Sequence, residues 1–176
     1  MLATAVPAVV NPAPQNGVRP WDGTLHPRSE QLLRRTMISA HNRARRDYGS
    51  APLAWNEALA RDAAAYARVM ARSERFEHDP QHGRNPRQGE NLFQGTRGAY
   101  SYSEMIGLLV AEGRFFRPGR FPDVSRTGNW AHVGHYTQIV WPATRFVGCA
   151  TAAGRRNEYL VCRYFPAGNV AGTVMR

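Results

Sequence analysis

Two apolar runs, Phe146 to Ala152 and Tyr159 to Phe165, flank the polar stretch Gly154-Arg155-Arg156-Asn157, and each carries one of the chain's two cysteines. Short runs rich in β-formers and split by a Gly/Asn turn read as a β-hairpin. Cys149 and Cys162 stand equally far from the turn, so such a hairpin sets them opposite one another. A bridge there would contribute about 3 kcal/mol by restricting the unfolded chain. The alternative is a pair of buried free thiols. The symmetry favours the disulfide, and a disulfide points to an oxidising compartment.

Upstream, Ser29 is placed to cap a helix that runs to Tyr48 and closes at Gly49, with Leu33, Met37, Ala40, Ala44 and Tyr48 at steps of three and four. A second helix begins near Asn56 and buries Leu59, Ala63, Tyr66, Ala67 and Met70. Phe76 to Ala99 is rich in Gly, Pro, Asn and Gln and reads mainly as loop. A third helix spans Tyr102 to Phe116, with Leu108, Glu112 and Phe115 on one face. Pro118 to Gly134 is a long loop. The run Thr137 to Trp141 is short, apolar and stopped by Pro142, which predicts a strand with His135 at its mouth. Because the first and last of the three C-terminal strands have few polar positions on either side, a central sheet covered by helices on both faces is expected.

The chain has 176 residues and 43% apolar content, enough for one globular domain. That domain is assigned to 28–176. Residues 1–27 carry Pro7, Pro12, Pro14, Pro20 and Pro27 and read as an extended arm. Ala3-Thr4-Ala5 resembles a small-residue cleavage site, but no basic region or full apolar segment precedes it. Either a signal has been trimmed or this is a Pro-rich leader. No apolar run is long enough to cross a bilayer. The net charge is +10 and every basic residue is Arg. This fits a solvated surface, or attraction to an anionic envelope polymer or membrane surface. Nucleic acid is the weakest of the anionic partners, because the arginines are scattered and no nucleic-acid-binding pattern is present.

The order of several motifs resembles the CAP superfamily, which includes cysteine-rich secretory proteins, venom antigens and plant pathogenesis-related proteins. His135-Tyr136-Thr137-Gln138-Ile139-Val140-Trp141 is similar to its first signature. Tyr159-Leu160-Val161-Cys162-Arg163-Tyr164-Phe165-Pro166-Ala167-Gly168-Asn169-Val170 is similar to the second. Gly89-Glu90-Asn91-Leu92 resembles a third block, and His41-Asn42-Arg43 with Pro52-Leu53-Ala54-Trp55 resembles the first helix and the turn after it. The resemblance implies an α+β fold, a three-layer α-β-α sandwich with a mainly antiparallel sheet. It also implies a secreted or periplasmic life and a cleft lined by two His and two Glu, which map to His78, Glu90, Glu112 and His135. The family's usual Trp three residues before the helix Glu is Leu109 here. Cys149 and Cys162 match one family bridge and the others are absent, as in a minimal bacterial-type member.

Imidazole nitrogens suit zinc, copper or nickel. His78 and His135 would supply two, while Glu90 and Glu112 would either ligate or hold the second ring N–H. Two nitrogens with water positions predict weak, exchangeable Zn2+ binding, and the same four groups could instead satisfy one another with no metal. His26, His82 and His132 read as surface histidines, with His82 and His132 flanking the cleft as the alternative auxiliary ligands, and His41 as one that packs or caps on the first helix. Tyr136, Trp141, Tyr164 and Trp55 read as core, and Pro166, Gly168 and Asn169 as the turn leaving the last strand.

Three functions are therefore weighed. The first is a non-enzymatic module binding a lipid, sterol or other small apolar ligand, with the apolar region Tyr100 to Phe121, including Phe115, Phe116 and Phe121, either lining a groove or packing as ordinary core. The second is a metal-assisted hydrolase of peptide or envelope polymer, with Glu90 or Glu112 as general base. The third is an envelope interaction protein held through its arginines. The first is favoured, because no Gly-x-Ser-x-Gly elbow is present and neither cysteine is placed as a nucleophile.

Overall fold

The computed structural model describes residues 20–176. The Ala3-Thr4-Ala5 site and most of the Pro-rich arm lie outside the described residues. Two helices form where their caps predict. In α1 (Glu30–Tyr48) Ser29 accepts the N–H of Leu32, and Gly49, at φ 94°, donates back to the carbonyl of Arg45. In α2 (Glu57–Ser73) Asn56 accepts the N–H of Leu59, and the predicted stripe from Leu59 to Met70 is the buried one. A capping box between Ser101 and Glu104 starts α3 (Tyr102–Ala111). No helix among the described residues is long and apolar enough to cross a membrane.

The main sheet is built from β1 (Ala54–Trp55), β2 (Gly89–Thr96), β4 (Phe146–Ala153) and β5 (Asn157–Phe165). Their spatial order is β1-β4-β5-β2. β4, β5 and β2 are antiparallel, and the short β1 joins β4 in parallel. A separate ribbon pairs β3 (Gly119–Arg120) with β6 (Val174–Met175). Side chains alternate across β5: Tyr159 and Val161 pack with Leu92 against Ala63, Tyr66 and Met70 of α2, whereas Leu160, Cys162 and Tyr164 face a core built with α1 and α3. Helices thus cover both faces, giving the expected α-β-α sandwich. Gly148 lets α2 lie directly on β4, since a Cβ there would sit 2.3 Å from the Ala60 nitrogen.

The predicted hairpin forms, and Cys149 and Cys162 are cross-strand partners joined by a disulfide. Replacing both with Ala is expected to lower the unfolding free energy by about 3 kcal/mol, read by urea denaturation. An unchanged midpoint would mean that the hairpin is held by its strand pairing alone.

Three sequence expectations are corrected. Thr137 to Trp141 is not a strand: Gly134–Val140 forms a helix, α4, buried at every residue except Tyr136. A helix enclosed on all sides loses its 3.6-residue polarity signal, and its short apolar run then mimics a buried strand. The Phe76 to Ala99 loop contains β2, whose two glycines weaken its strand propensity and whose pairing with β5 makes it a strand. The third helix stops at Ala111 and tightens into a 3₁₀ turn, Glu112–Phe115, while Leu108 points outward at 43% exposure.

Candidate functional site

Glu112 sits where α3 tightens, and this places its carboxylate against the start of α4. That seven-residue helix has no side-chain cap of its own. Oε2 of Glu112 accepts the backbone N–H of His135 at 3.0 Å and of Tyr136 at 3.3 Å, while Oε1 accepts from Nδ1 of His135 at 2.6 Å. A carboxylate is well placed at a helix N-terminus, where unpaired N–H groups gather. Gly113 makes this approach feasible, because a Cβ there would lie 2.8 Å from the Tyr136 ring.

His78 and Glu90 form the second unit. Oε1 of Glu90 accepts from Nδ1 of His78 at 2.5 Å and from the N–H of Asp79 at 3.1 Å. Oε2 faces Nη2 of Arg163 at 3.0 Å, across the β2–β5 register that pairs Glu90 with Arg163. Arg163 is buried, lies over the Tyr66 ring and also holds Asp79 at 2.5 Å. Burial pushes the Asp79 carboxyl up, but the N–H of Gln81 and the Arg163 guanidinium outweigh it and hold it below the usual carboxylate range.

Asn91, one residue beyond Glu90, links the two units. Its amide donates to the carbonyl of His135 at 3.0 Å and to the Tyr164 hydroxyl at 3.1 Å. The Tyr164 hydroxyl donates to Nε2 of His41, whose Nδ1 donates to the carbonyl of Met37. His41 therefore packs within α1 as expected, neutral and fully enclosed. Burial lowers its pKa from 6.5 to about 4 despite the Met37 bond, with Arg45 adding to the effect. In the unfolded chain His41 takes up a proton below pH ~6.5, whereas the native state does not until about pH 4. Stability is thus lost as pH falls through that window, by about 3 kcal/mol in all. Urea denaturation at pH 7 and 4.5 should show this slope in the wild type and a shallower one in His41→Gln. Equal slopes would assign the acid loss to other groups.

The sequence-predicted residues therefore meet as two pairs, His78 with Glu90 and His135 with Glu112. Among the described residues no group of three or more His, Cys, Asp or Glu side chains is arranged to hold a metal ion. Of the two roles open to the glutamates, the geometry has them holding Nδ1, and each Nε2 is left without a hydrogen-bond partner among the described residues. His82 and His132 are exposed, and His132 is bonded to Thr127 in its own loop. The aromatic segment is mostly packed inward: Phe121 is 1% exposed between Trp130 and Trp141, and Phe116 sits between Tyr48 and Tyr136. Phe121 therefore lines no groove. Sequence reasoning missed Arg163, Asp79 and Asn91. Asp79 and Asn91 adjoin predicted residues, but Arg163 becomes visible only once β2 is paired with β5.

The model of the cysteine-rich secretory protein family, CAP, matches residues 38–164, most of the chain and both units. The chain belongs to the CAP family. Pathogenesis-related protein 1B of Nicotiana tabacum is 32% identical over 148 residues, covering 84% of this chain and 83% of that protein. Golgi-associated plant pathogenesis-related protein 1 of Homo sapiens is 32% identical over 135 residues, covering 76% and 82%. Among solved structures, NaASP2, in a crystal structure with Zn2+, aligns with a TM-score of 0.68 at 22% identity, covering 93% of this chain and 88% of that one. BmVAL-1 aligns at 0.66 and 21%, covering 89% and 86%. These two likenesses concern the CAP fold.

Proposed function

We propose that this CAP protein is a non-enzymatic binding module whose two Glu-held histidines take an exchangeable divalent metal, zinc first among them. The carrying observation is that each imidazole has Nδ1 committed to a carboxylate, which fixes the tautomer and leaves Nε2 to donate its lone pair. Such a donor set fits an open two-nitrogen site completed by water and does not fit a closed structural one. NaASP2, crystallised with Zn2+, shares the fold. A hydrolytic role is disfavoured because neither carboxylate is free to act as a base. Glu112 accepts three hydrogen bonds, and Glu90 is divided among His78, Asp79 and Arg163. The disulfide supports a secreted or periplasmic setting. A lipid or sterol, the ligand class implied by the resemblance, would have to bind away from Phe121.

Calorimetric titration with zinc chloride tests the reading. Wild type should bind saturably, His78→Ala and His135→Ala should lose that binding, and Glu112→Gln should weaken it by about 10- to 100-fold. If both alanine variants bind zinc like wild type while remaining folded, the reading fails.

A further inference from the structure

At the end of the sheet where the β4–β5 turn lies, a shallow hollow of about 670 Å³ opens between that turn, the last turn of α2 and the segment leaving β2. Its rim carries three guanidiniums from three separate elements: Arg72 from α2, Arg97 after β2 and Arg155 in the turn. Ala71, Ser73, Glu74, Ala153 and Gly154 line the rest of it.

The backbone under the rim is fastened. The N–H of Arg97 donates to the carbonyl of Arg156 at 2.8 Å, and that of Gly154 donates to the carbonyl of Asn157 at 2.8 Å. Glu74, in a left-handed conformation at φ 53°, turns its carboxylate onto the N–H groups of Arg155 at 2.8 Å and Arg156 at 3.1 Å. The one acidic group of the hollow is thus engaged in holding the turn. Its ion pair with Arg155 is loose, at 3.8 Å with the Arg155 side chain 85% exposed. Arg97 makes one long contact, 3.4 Å to the carbonyl of Gly154. Neither Arg72 nor Arg97 has a carboxylate partner among the described residues. Three guanidiniums against one occupied carboxylate leave a concave, positive surface with unused donors.

We infer that this hollow is a binding site for a compact polyphosphorylated anion. Planar guanidiniums bind phosphate oxygens in pairs, and donors from three directions suit several phosphates close together. Their convergence on a concavity favours such a ligand over the flat face of a membrane. The site shares no residue with the histidine pairs, so it stands or falls apart from the zinc reading.

Calorimetric titration with sodium tripolyphosphate at low salt should give saturable binding with one site per chain, weakening as salt rises. Arg97→Gln and Arg155→Gln should each weaken it about tenfold, and the double variant about a hundredfold. Both side chains are exposed, so the variants should fold. The double variant Arg35→Gln/Arg43→Gln removes the same charge from exposed positions on α1 and should change affinity by less than about twofold. Three results would overturn the inference: no saturable binding, an equal loss in the α1 control, or capture of phosphatidylglycerol vesicles through Arg97 and Arg155 without binding of tripolyphosphate.

Discussion

Replacing Arg45 with Met should destabilise the protein by about 4 kcal/mol or more, among the largest losses available to a single substitution. Arg45 lies in the last turn of α1 and is 0% exposed. Its guanidinium donates to four backbone carbonyls: Ala51 at 2.6 Å, Ile139 and Trp141 at 2.9 Å, and Thr144 at 3.1 Å. These belong to the chain leaving α1, the end of α4 and the turn into β4. Burial, reinforced by Arg145, lowers the Arg45 pKa to about 10, so it remains charged at neutral pH. Met fills the volume of the stem but leaves four carbonyls without their donor, each costing about 1–3 kcal/mol where water cannot replace it. Arg45→Lys should recover only part of the loss, because an ammonium cannot span acceptors in three segments. Urea denaturation of the three proteins reads the effect. A cost under about 1.5 kcal/mol for Met would mean that solvent reaches these carbonyls and that α4 is anchored from elsewhere.

Arg45 also illustrates what could be read before the fold was known. Ser29, Gly49 and Asn56 state the ends of α1 and α2 through local hydrogen bonding, and the apolar stripe of α2 follows from its own spacing. The symmetry of Cys149 and Cys162 carried the hairpin register. Within Arg43-Ala44-Arg45-Arg46, by contrast, composition does not separate the enclosed arginine from its solvated neighbours. The spacing held a clue, since Met37, His41 and Arg45 follow at steps of four along the buried face. A polar residue on such a stripe is easily read as its edge. β2 and α4 are hard to read in the sequence for a different reason: their structure is imposed by partners remote in sequence. The four site residues came from motif resemblance, and their grouping into two pairs required the packing of Glu112 onto α4 and of His78 onto β2.

Arg163→Met is expected to cost about 3–5 kcal/mol, the range for removing one partner of a buried ion pair. The Arg163 and Glu90 side chains are 1% and 2% exposed, so neither charge can fall back on solvent. Nε and Nη1 of Arg163, and Oε2 of Glu90, have no hydrogen-bond partner among the described residues, the 3.0 Å approach of Nη2 to Oε2 being an ion pair. That incomplete pairing offsets part of the attraction, and it suggests that the pair contributes more to geometry than to net stability. Without the guanidinium, Glu90 faces Asp79 with no intervening cation, and the carboxylate that orients His78 is released. Neutralising the acid should therefore rescue the loss. In the double variant Arg163→Met/Glu90→Gln the destabilisation should fall short of the sum of the single changes by about 2 kcal/mol, measured as a double-mutant cycle in urea. If the proposed zinc site holds, zinc affinity separates the two contributions: Arg163→Met should weaken it even where the protein is fully folded, because His78 loses its fixed orientation. Additive stabilities together with unchanged zinc affinity would reduce Arg163 to a residue packed over the Tyr66 ring and remove it from the site.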